Sequence, residues 1–245
     1  MSDNSSRASF RFFHRLRVRW AEVDLQKIVF NPHYLMYVDT ALADYWRALA
    51  LPYEQSLHAM GGDLFVRKST LEFHASAVYD DVLDVGLRCA RIGNSSLQLV
   101  SGIFRGEELL VSAELVYVFA DPVAKVSLPV PQVLRDLLTQ FEQGQSPVRA
   151  VLGDWQSLRE AVCSLRPTQP QDAGAQHCVL YNAMNEAIAC GRLQKVADAQ
   201  VEGLFVSPLL RGAGWSRVVR QHLMAANAWI SRQGLNVFQQ RVRHG

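Results

Sequence analysis

Arg17-Val18-Arg19-Trp20-Ala21-Glu22-Val23-Asp24-Leu25-Gln26-Lys27-Ile28-Val29-Phe30-Asn31-Pro32-His33-Tyr34 decides the fold. At its start Leu16, Val18 and Trp20 alternate with Arg15, Arg17 and Arg19, the period of a half-buried strand. The alternation predicts a strand over 12–23 that ends in two carboxylates, Glu22 and Asp24. In an extended strand these two project to the same side, and a close pair would raise one pKa. The simpler reading of Glu22 is a solvent-facing charge at a strand end. The apolar run Ile28-Val29-Phe30 follows, and Asn31-Pro32 opens a helix. A carboxylate is thereby delivered close to a helix N-terminus. There, backbone N–H groups can polarise a carbonyl while the carboxylate attacks it or activates water, which suits hydrolysis of an activated acyl group. The competing reading of Asp24 is a turn residue accepting local backbone N–H groups. The Asn31 side chain is expected to cap Tyr34 or its neighbour.

Outward from this stretch, Leu35, Val38, Leu42, Tyr45, Trp46 and Leu49 recur at three and four, predicting a helix over 34–49. Leu51-Pro52 ends it. A short helix over 53–60 and strands over 64–75, 82–92, 97–104 and 109–120 follow, with Gly93-Asn94 and Arg105-Gly106-Glu107 as turns. A helix is predicted over 131–143. One long helix followed by an antiparallel run of strands indicates an α+β sheet wrapped on a helix. Gly144-Gln145-Ser146-Pro147 reads as a linker between a domain at 1–143 and a second at 148–245. In the latter the pattern predicts a helix over 155–165, a loop over 167–175, a hairpin of strands 177–182 and 187–194 turning at Asn185-Glu186, a strand over 200–206 and a helix over 216–234.

Composition bounds the function. The 245 residues are 49% apolar, enough for a substantial core, and the net charge of +2 gives no argument for nucleic acid. The first 143 residues carry 14 basic and 17 acidic side chains and the remainder 11 and 6, so the two sections differ in character. Cys89, Cys163, Cys178 and Cys190 lack Cys-x-x-Cys or His-Cys zinc spacing and read as reduced thiols. No metal site is expected. The polar start lacks an apolar leader and no run is long enough to span a bilayer, so the expectation is a soluble, cytoplasmic protein.

The run from Arg19 to Tyr34 resembles the signature of the 4-hydroxybenzoyl-CoA thioesterase family, in its YbgC-like branch. Phe65-Val66-Arg67-Lys68-Ser69-Thr70-Leu71-Glu72-Phe73-His74-Ala75 and Tyr79-Asp80-Asp81-Val82-Leu83-Asp84-Val85 are similar to the same family's next strands. The resemblance implies the hotdog fold, acyl-CoA as substrate, no cofactor, and a homodimer or homotetramer. It implies Asp24 as the catalytic carboxylate and the Asn31 backbone N–H as the group that polarises the thioester carbonyl. Lys27, Phe30, His33 and Tyr34 stand around the helix entry as candidate substrate contacts. Arg67 and Lys68, adjacent on a strand and facing opposite ways, are candidates for the CoA phosphates. Lys27 departs from the family, which has glycine there. A lysine changes the backbone options of the turn and brings a cation near Asp24.

Leu204-Phe205-Val206-Ser207-Pro208-Leu209-Leu210-Arg211-Gly212-Ala213-Gly214-Trp215-Ser216 resembles the acetyl-CoA loop of GNAT acetyltransferases, whose amides hold a pyrophosphate at a helix start. Arg211, Gly212, Gly214 and Ser216 are the corresponding positions, although Ser216 stands where glycine or alanine is expected. The section is shorter than that family's domain, so the resemblance implies a small, incomplete GNAT-like α/β module. Gly-x-Ser-x-Gly, His-Glu-x-x-His and Walker motifs are absent from the sequence. The residue five after Asp24 is Val29 rather than histidine, which speaks against hotdog dehydratase chemistry. Three functions stand: an acyl-CoA thioesterase, an acetyl-CoA-dependent acyltransferase in the second section, and a non-catalytic acyl-CoA-binding or interaction module.

Overall fold

Alternating apolar residues in the first section pair as five antiparallel strands in the computed structural model, which describes residues 6–194 and 200–242. The chain divides into two units, 1–147 and 148–245.

In the first unit, β1 (Phe12–Arg17), β2 (Asp63–Phe73), β3 (Val82–Ile92), β4 (Ser96–Arg105) and β5 (Glu108–Ala120) form one sheet in the order β1-β3-β4-β5-β2. Helices α1 (Pro32–Ala48), α2 (Tyr53–Ala59) and α3 (Gln132–Glu142) complete it. Helix α1 lies against β1 and β3. It buries Tyr34, Tyr37, Val38, Ala41, Tyr45 and Trp46, while Leu35 and Leu42 are half-buried. The inward face is therefore turned toward the tyrosines relative to the leucine-based stripe. Their hydroxyls find partners inside: Tyr37 donates to Glu22 Oε2 at 2.7 Å, and Tyr34 accepts the Ala77 N–H at 2.9 Å. An amphipathic tyrosine with a satisfied hydroxyl packs as well as a leucine and adds ring contacts, such as Tyr34 on Phe73 with centroids 5.7 Å apart. Each large side chain so buried contributes about 1.5–3 kcal/mol.

The first strand is shorter than its alternation predicts. β1 stops at Arg17, and Trp20–Glu22 form a 3-10 turn. Glu22 closes that turn by accepting the Arg19 N–H at 2.8 Å and the Arg19 guanidinium at 2.6 Å. Val18 remains buried, but Trp20 is 77% exposed. Period-two reading fails here because a side-chain acceptor three residues on offers the backbone a tighter alternative to the strand.

In the second unit, β6 (Arg149–Gly153), β7 (Gln176–Tyr181), β8 (Ala187–Gln194) and β9 (Gln200–Val206) form an antiparallel sheet in sequence order. Val179 and Cys190, opposite each other in register, pack with Leu158 and Val162 of α4 (Trp155–Leu165). On the other face a Cβ on Gly191 would lie 2.8 Å from Val219 of α5 (Trp215–Val242). One helix therefore covers each face. Asp154 caps α4 by accepting the Ser157 N–H at 2.9 Å. The sequence reading left 148–154 unassigned, and β6 lies there. The segment over 167–175 is pinned through Asp172, fully buried between Arg166 at 2.7 Å and Arg192 at 2.9 Å.

Candidate functional site

Asp24 sits at the head of a tight reversal between the 3-10 turn and α1. The Asp24 N–H donates to the Ile28 carbonyl and the Lys27 N–H to the Asp24 carbonyl, each at 2.9 Å, and Val23 bridges Val29. Asp24 Oδ1 accepts the Gln26 N–H at 2.8 Å. Its turn role is therefore real, but it occupies one carboxylate oxygen. The other has no hydrogen-bond partner among the described residues. Lys27 takes a φ of +64°, the left-handed conformation that suits glycine.

Glu22 does not share a face with Asp24. It is buried, 3% exposed, and belongs to the Arg19–Tyr37 network rather than to solvent. Burial pushes its pKa up, but the Arg19 N–H, the Arg19 guanidinium and the Tyr37 hydroxyl outweigh that and hold the carboxyl below its usual range. The expectation of a solvent-facing charge at a strand end is corrected by this burial, and the rise that a close Asp24 would have caused is not seen. The Glu22 carbonyl accepts the Phe30 N–H at 2.9 Å, which ties the turn to the start of α1.

Asn31 is helical, with φ −46° and ψ −42°, and its side chain makes no capping bond. The expected Asn31 cap is therefore absent: the helical backbone at 31 moves the side chain off the N–H groups it would reach from an extended cap position. The Tyr34 N–H bonds instead to the Asn31 carbonyl at 3.2 Å. The Asn31 N–H has no acceptor among the described residues, and the residue is exposed. Pro32 has no N–H, so Asn31 supplies the helix-entry donor.

A cavity of about 980 Å³ opens beside this turn, lined by Asp24, Lys27, Phe30 and His33 together with Trp20, Leu25 and Tyr79. Four predicted site residues thus meet in one place. His33 lies against Met36, with Nδ1 3.3 Å from the sulfur, and its ring stands 6.0 Å from that of Phe30. Tyr34 does not line the cavity: it is 1% exposed and its hydroxyl is engaged by Ala77. Arg67 and Lys68 are not brought to Asp24 either. Arg67 falls at a register break in β2 and lines a separate cavity of about 510 Å³. Lys68 pairs with Glu114 at 3.1 Å. Sequence reasoning missed Trp20, Leu25 and Tyr79 as lining residues. Trp20 and Tyr79 meet edge-to-face at 6.0 Å across 59 positions of chain, and no local pattern signals that.

In the second unit, Gly212 and Gly214 take φ of +89° and +84° in the loop before α5, and a Cβ on either would meet nothing within 4 Å. Arg211 is exposed, its Nε 3.4 Å from the Val206 carbonyl, and Ser216 is exposed. Among the described residues, no group of three or more His, Cys, Asp or Glu is placed to hold a metal ion, and no helix is long and apolar enough to cross a membrane.

Residues 26–118 match the Thioesterase superfamily. A curated protein of Aquifex aeolicus (strain VF5), named "Putative esterase", is 26% identical over 127 residues, covering 51% of this chain and 98% of the relative. The "Acyl-CoA thioester hydrolase YbgC" of Escherichia coli O157:H7 is 26% identical over 129 residues, covering 52% of this chain and 93% of the relative. Among solved structures, the PA5185 protein of Pseudomonas aeruginosa strain PAO1 is 26% identical with a TM-score of 0.49, covering 58% of this chain and 96% of that one. The first unit is therefore similar over residues 26–118 to the Thioesterase superfamily, and its mixed helix and antiparallel sheet are consistent with the hotdog fold.

Proposed function

We propose that the first unit is a thioester hydrolase acting on acyl-CoA. The superfamily match and the curated relatives named as a thioester hydrolase and an esterase support this reading. One observation carries the mechanism: Asp24, with one carboxylate oxygen unpartnered, lines a cavity of about 980 Å³ whose wall includes Phe30 and His33, the residues that flank the Asn31-Pro32 helix start, where the Asn31 N–H has no acceptor among the described residues. The acyl group enters the apolar walls and its carbonyl oxygen accepts the Asn31 N–H, which stabilises the negative charge that develops there. Asp24 then attacks the carbonyl carbon, releasing CoA thiolate and leaving an anhydride that water hydrolyses. Alternatively, it takes a proton from the water that attacks directly. Both routes give free acid and CoA and require no redox cofactor.

The test is free-thiol release from short, long and aromatic acyl-CoA thioesters, comparing wild type with Asp24→Asn. The variant keeps the Oδ1 acceptor for the Gln26 N–H and so the turn. Turnover should fall by about 10²–10⁴-fold with the fold unchanged by circular dichroism. Equal turnover in the variant would sink the Asp24 mechanism. Failure of the wild type to hydrolyse any thioester would favour the binding-module reading.

A second reading concerns the second unit. Its paired left-handed glycines ahead of α5 support an acetyl-CoA pyrophosphate cradle of GNAT type at Arg211, Gly212, Gly214 and Ser216. An acetylated amine product from acetyl-CoA, abolished by Gly214→Val, would establish acyl transfer. Its absence would leave the unit without that activity.

A further inference from the structure

The Asp24 cavity holds one charged group that hydrolysis leaves unused. Asp24 and the Asn31 N–H account for attack and polarisation, and Trp20, Val23, Leu25, Phe30 and Tyr79 supply apolar wall. Lys27 remains. It lines the same cavity, and its ammonium has no hydrogen-bond or ion-pair partner among the described residues. Neighbouring cations are neutralised: Arg17 by Asp80 at 3.0 Å, Arg19 by Glu22, and Arg105 by Asp81 at 2.8 Å and Glu108 at 2.7 Å. Nor does Lys27 pair with Asp24, three residues away, although its own N–H bonds to the Asp24 carbonyl at 2.9 Å. That bond and the φ of +64° fix where the side chain leaves the turn. Glycine would take this backbone without strain; lysine adds a cationic point charge to a chamber whose other polar lining is Asp24 and His33.

We infer that Lys27 receives an oxyanion of the substrate, so that the cavity prefers thioesters whose non-reacting end is anionic over neutral ones of the same length. The inference rests on the thioester-hydrolase reading and deepens it. A carboxylate at the far end of the acyl chain fits best, because with Asp24 at the reacting carbonyl the apolar walls and the Lys27 cation match an apolar chain that ends in an anion. The CoA phosphates offer the same oxyanion chemistry from the other end of the substrate, and the two sources are separable.

The ligands for the test are non-hydrolysable thioethers, S-(4-carboxybutyl)-CoA and S-pentyl-CoA, together with the same two groups on pantetheine, which has no phosphate. Binding of all four to the full chain is measured by titration calorimetry for wild type, Lys27→Gln, Lys27→Arg and Lys27→Gly. The wild type should bind the carboxylated member of each pair about tenfold more tightly, corresponding to about 1.4 kcal/mol. Lys27→Gln and Lys27→Gly should lose that preference and Lys27→Arg should retain it. The glycine variant guards against misfolding, since its backbone is unstrained at this φ. Should Lys27→Gln weaken both CoA ligands alike and neither pantetheine ligand, the oxyanion is a CoA phosphate and the preference for an anionic acyl end is overturned. Unchanged affinity for all four ligands would overturn it. Thioester turnover is assayed in parallel. A Lys27-dependent preference without turnover retires the hydrolase reading alone, and turnover without any preference retires the Lys27 inference alone.

Discussion

Lys27 pays for its place with backbone strain. A non-glycine residue at φ +64° costs about 1–2 kcal/mol. Glycine there gives back part of the gain through its larger unfolded-state entropy. Lys27→Gly should therefore stabilise the first unit modestly, raising Tm by about 2 °C in differential scanning calorimetry. A lower Tm would mean that the lysine side chain makes a stabilising interaction in solution. Two residues earlier in this same stretch show how differently one residue type is used. Asp24 uses one oxygen in its turn and keeps the other without a partner among the described residues, whereas Glu22 uses both on Arg19 and Tyr37. The sequence places both carboxylates near the helix entry, but the separation of their roles follows from the 3-10 turn that intervenes.

Helix α1 is anchored to the loop ahead of β3 through a single hydroxyl. The Tyr34 oxygen accepts the N–H of Ala77, which is fully buried. Tyr34→Phe keeps the ring and its contact with Phe73 but leaves that N–H without a partner. The expected cost is about 1–3 kcal/mol, read as a lower urea midpoint at unchanged m. Because Asn31 begins the same helix, a shift of α1 should also depress turnover; a Tyr34→Phe enzyme as stable as wild type would show that another acceptor takes the Ala77 N–H. The helix and strand spans were largely legible because amphipathic periods are local. Which residues of α1 face inward was not, since tyrosine is read as polar or apolar only once its hydroxyl has a partner.

At the scale of the molecule, edges and buried charges decide behaviour. β2 stands at the edge of the five-stranded sheet, with Phe65 43%, Val66 56% and Phe73 50% exposed. An eleven-residue edge strand that exposes Phe65, Val66 and Phe73 is a template for pairing, and a second copy of this chain is the expected partner. Sedimentation equilibrium should therefore return at least twice the 27.5 kDa chain mass; a monomer at micromolar concentration would refute this. Acid should unfold both units through their carboxylates. Asp84 is held below its usual range by the Arg15 hydrogen bond, with Arg7 adding, against burial. For Asp172, burial pushes the pKa up, but Arg166, the Gln169 N–H and Arg192 outweigh it and leave the carboxyl far below the usual range. A carboxylate with a depressed folded pKa contributes stability that is complete above its unfolded pKa, about 4, and lost as pH falls through the folded value. The urea midpoint should thus hold constant with respect to these groups from about pH 7 to pH 5 and drop below about pH 4. Asp84→Asn should lower the neutral plateau and flatten the acid limb of the first unit. An acid limb as steep as in wild type would remove Asp84 from that account.

The sequence by itself determined the α+β character of the first unit, its run of antiparallel strands, the nearness of Asp24 to a helix start, and the order of the main elements that follow β6 in the second unit. These rest on periods, caps and turns that act over a few residues, so they can be read along the chain. Tertiary structure decided what depends on distant partners. It buried Glu22, Tyr34 and Asp172, drew Tyr79 across to Trp20 to wall the cavity, and sent Arg67 and Lys68 away from Asp24. A polar side chain goes inside only when a donor or acceptor from elsewhere awaits it, and a cavity exists only where segments far apart in sequence fail to close.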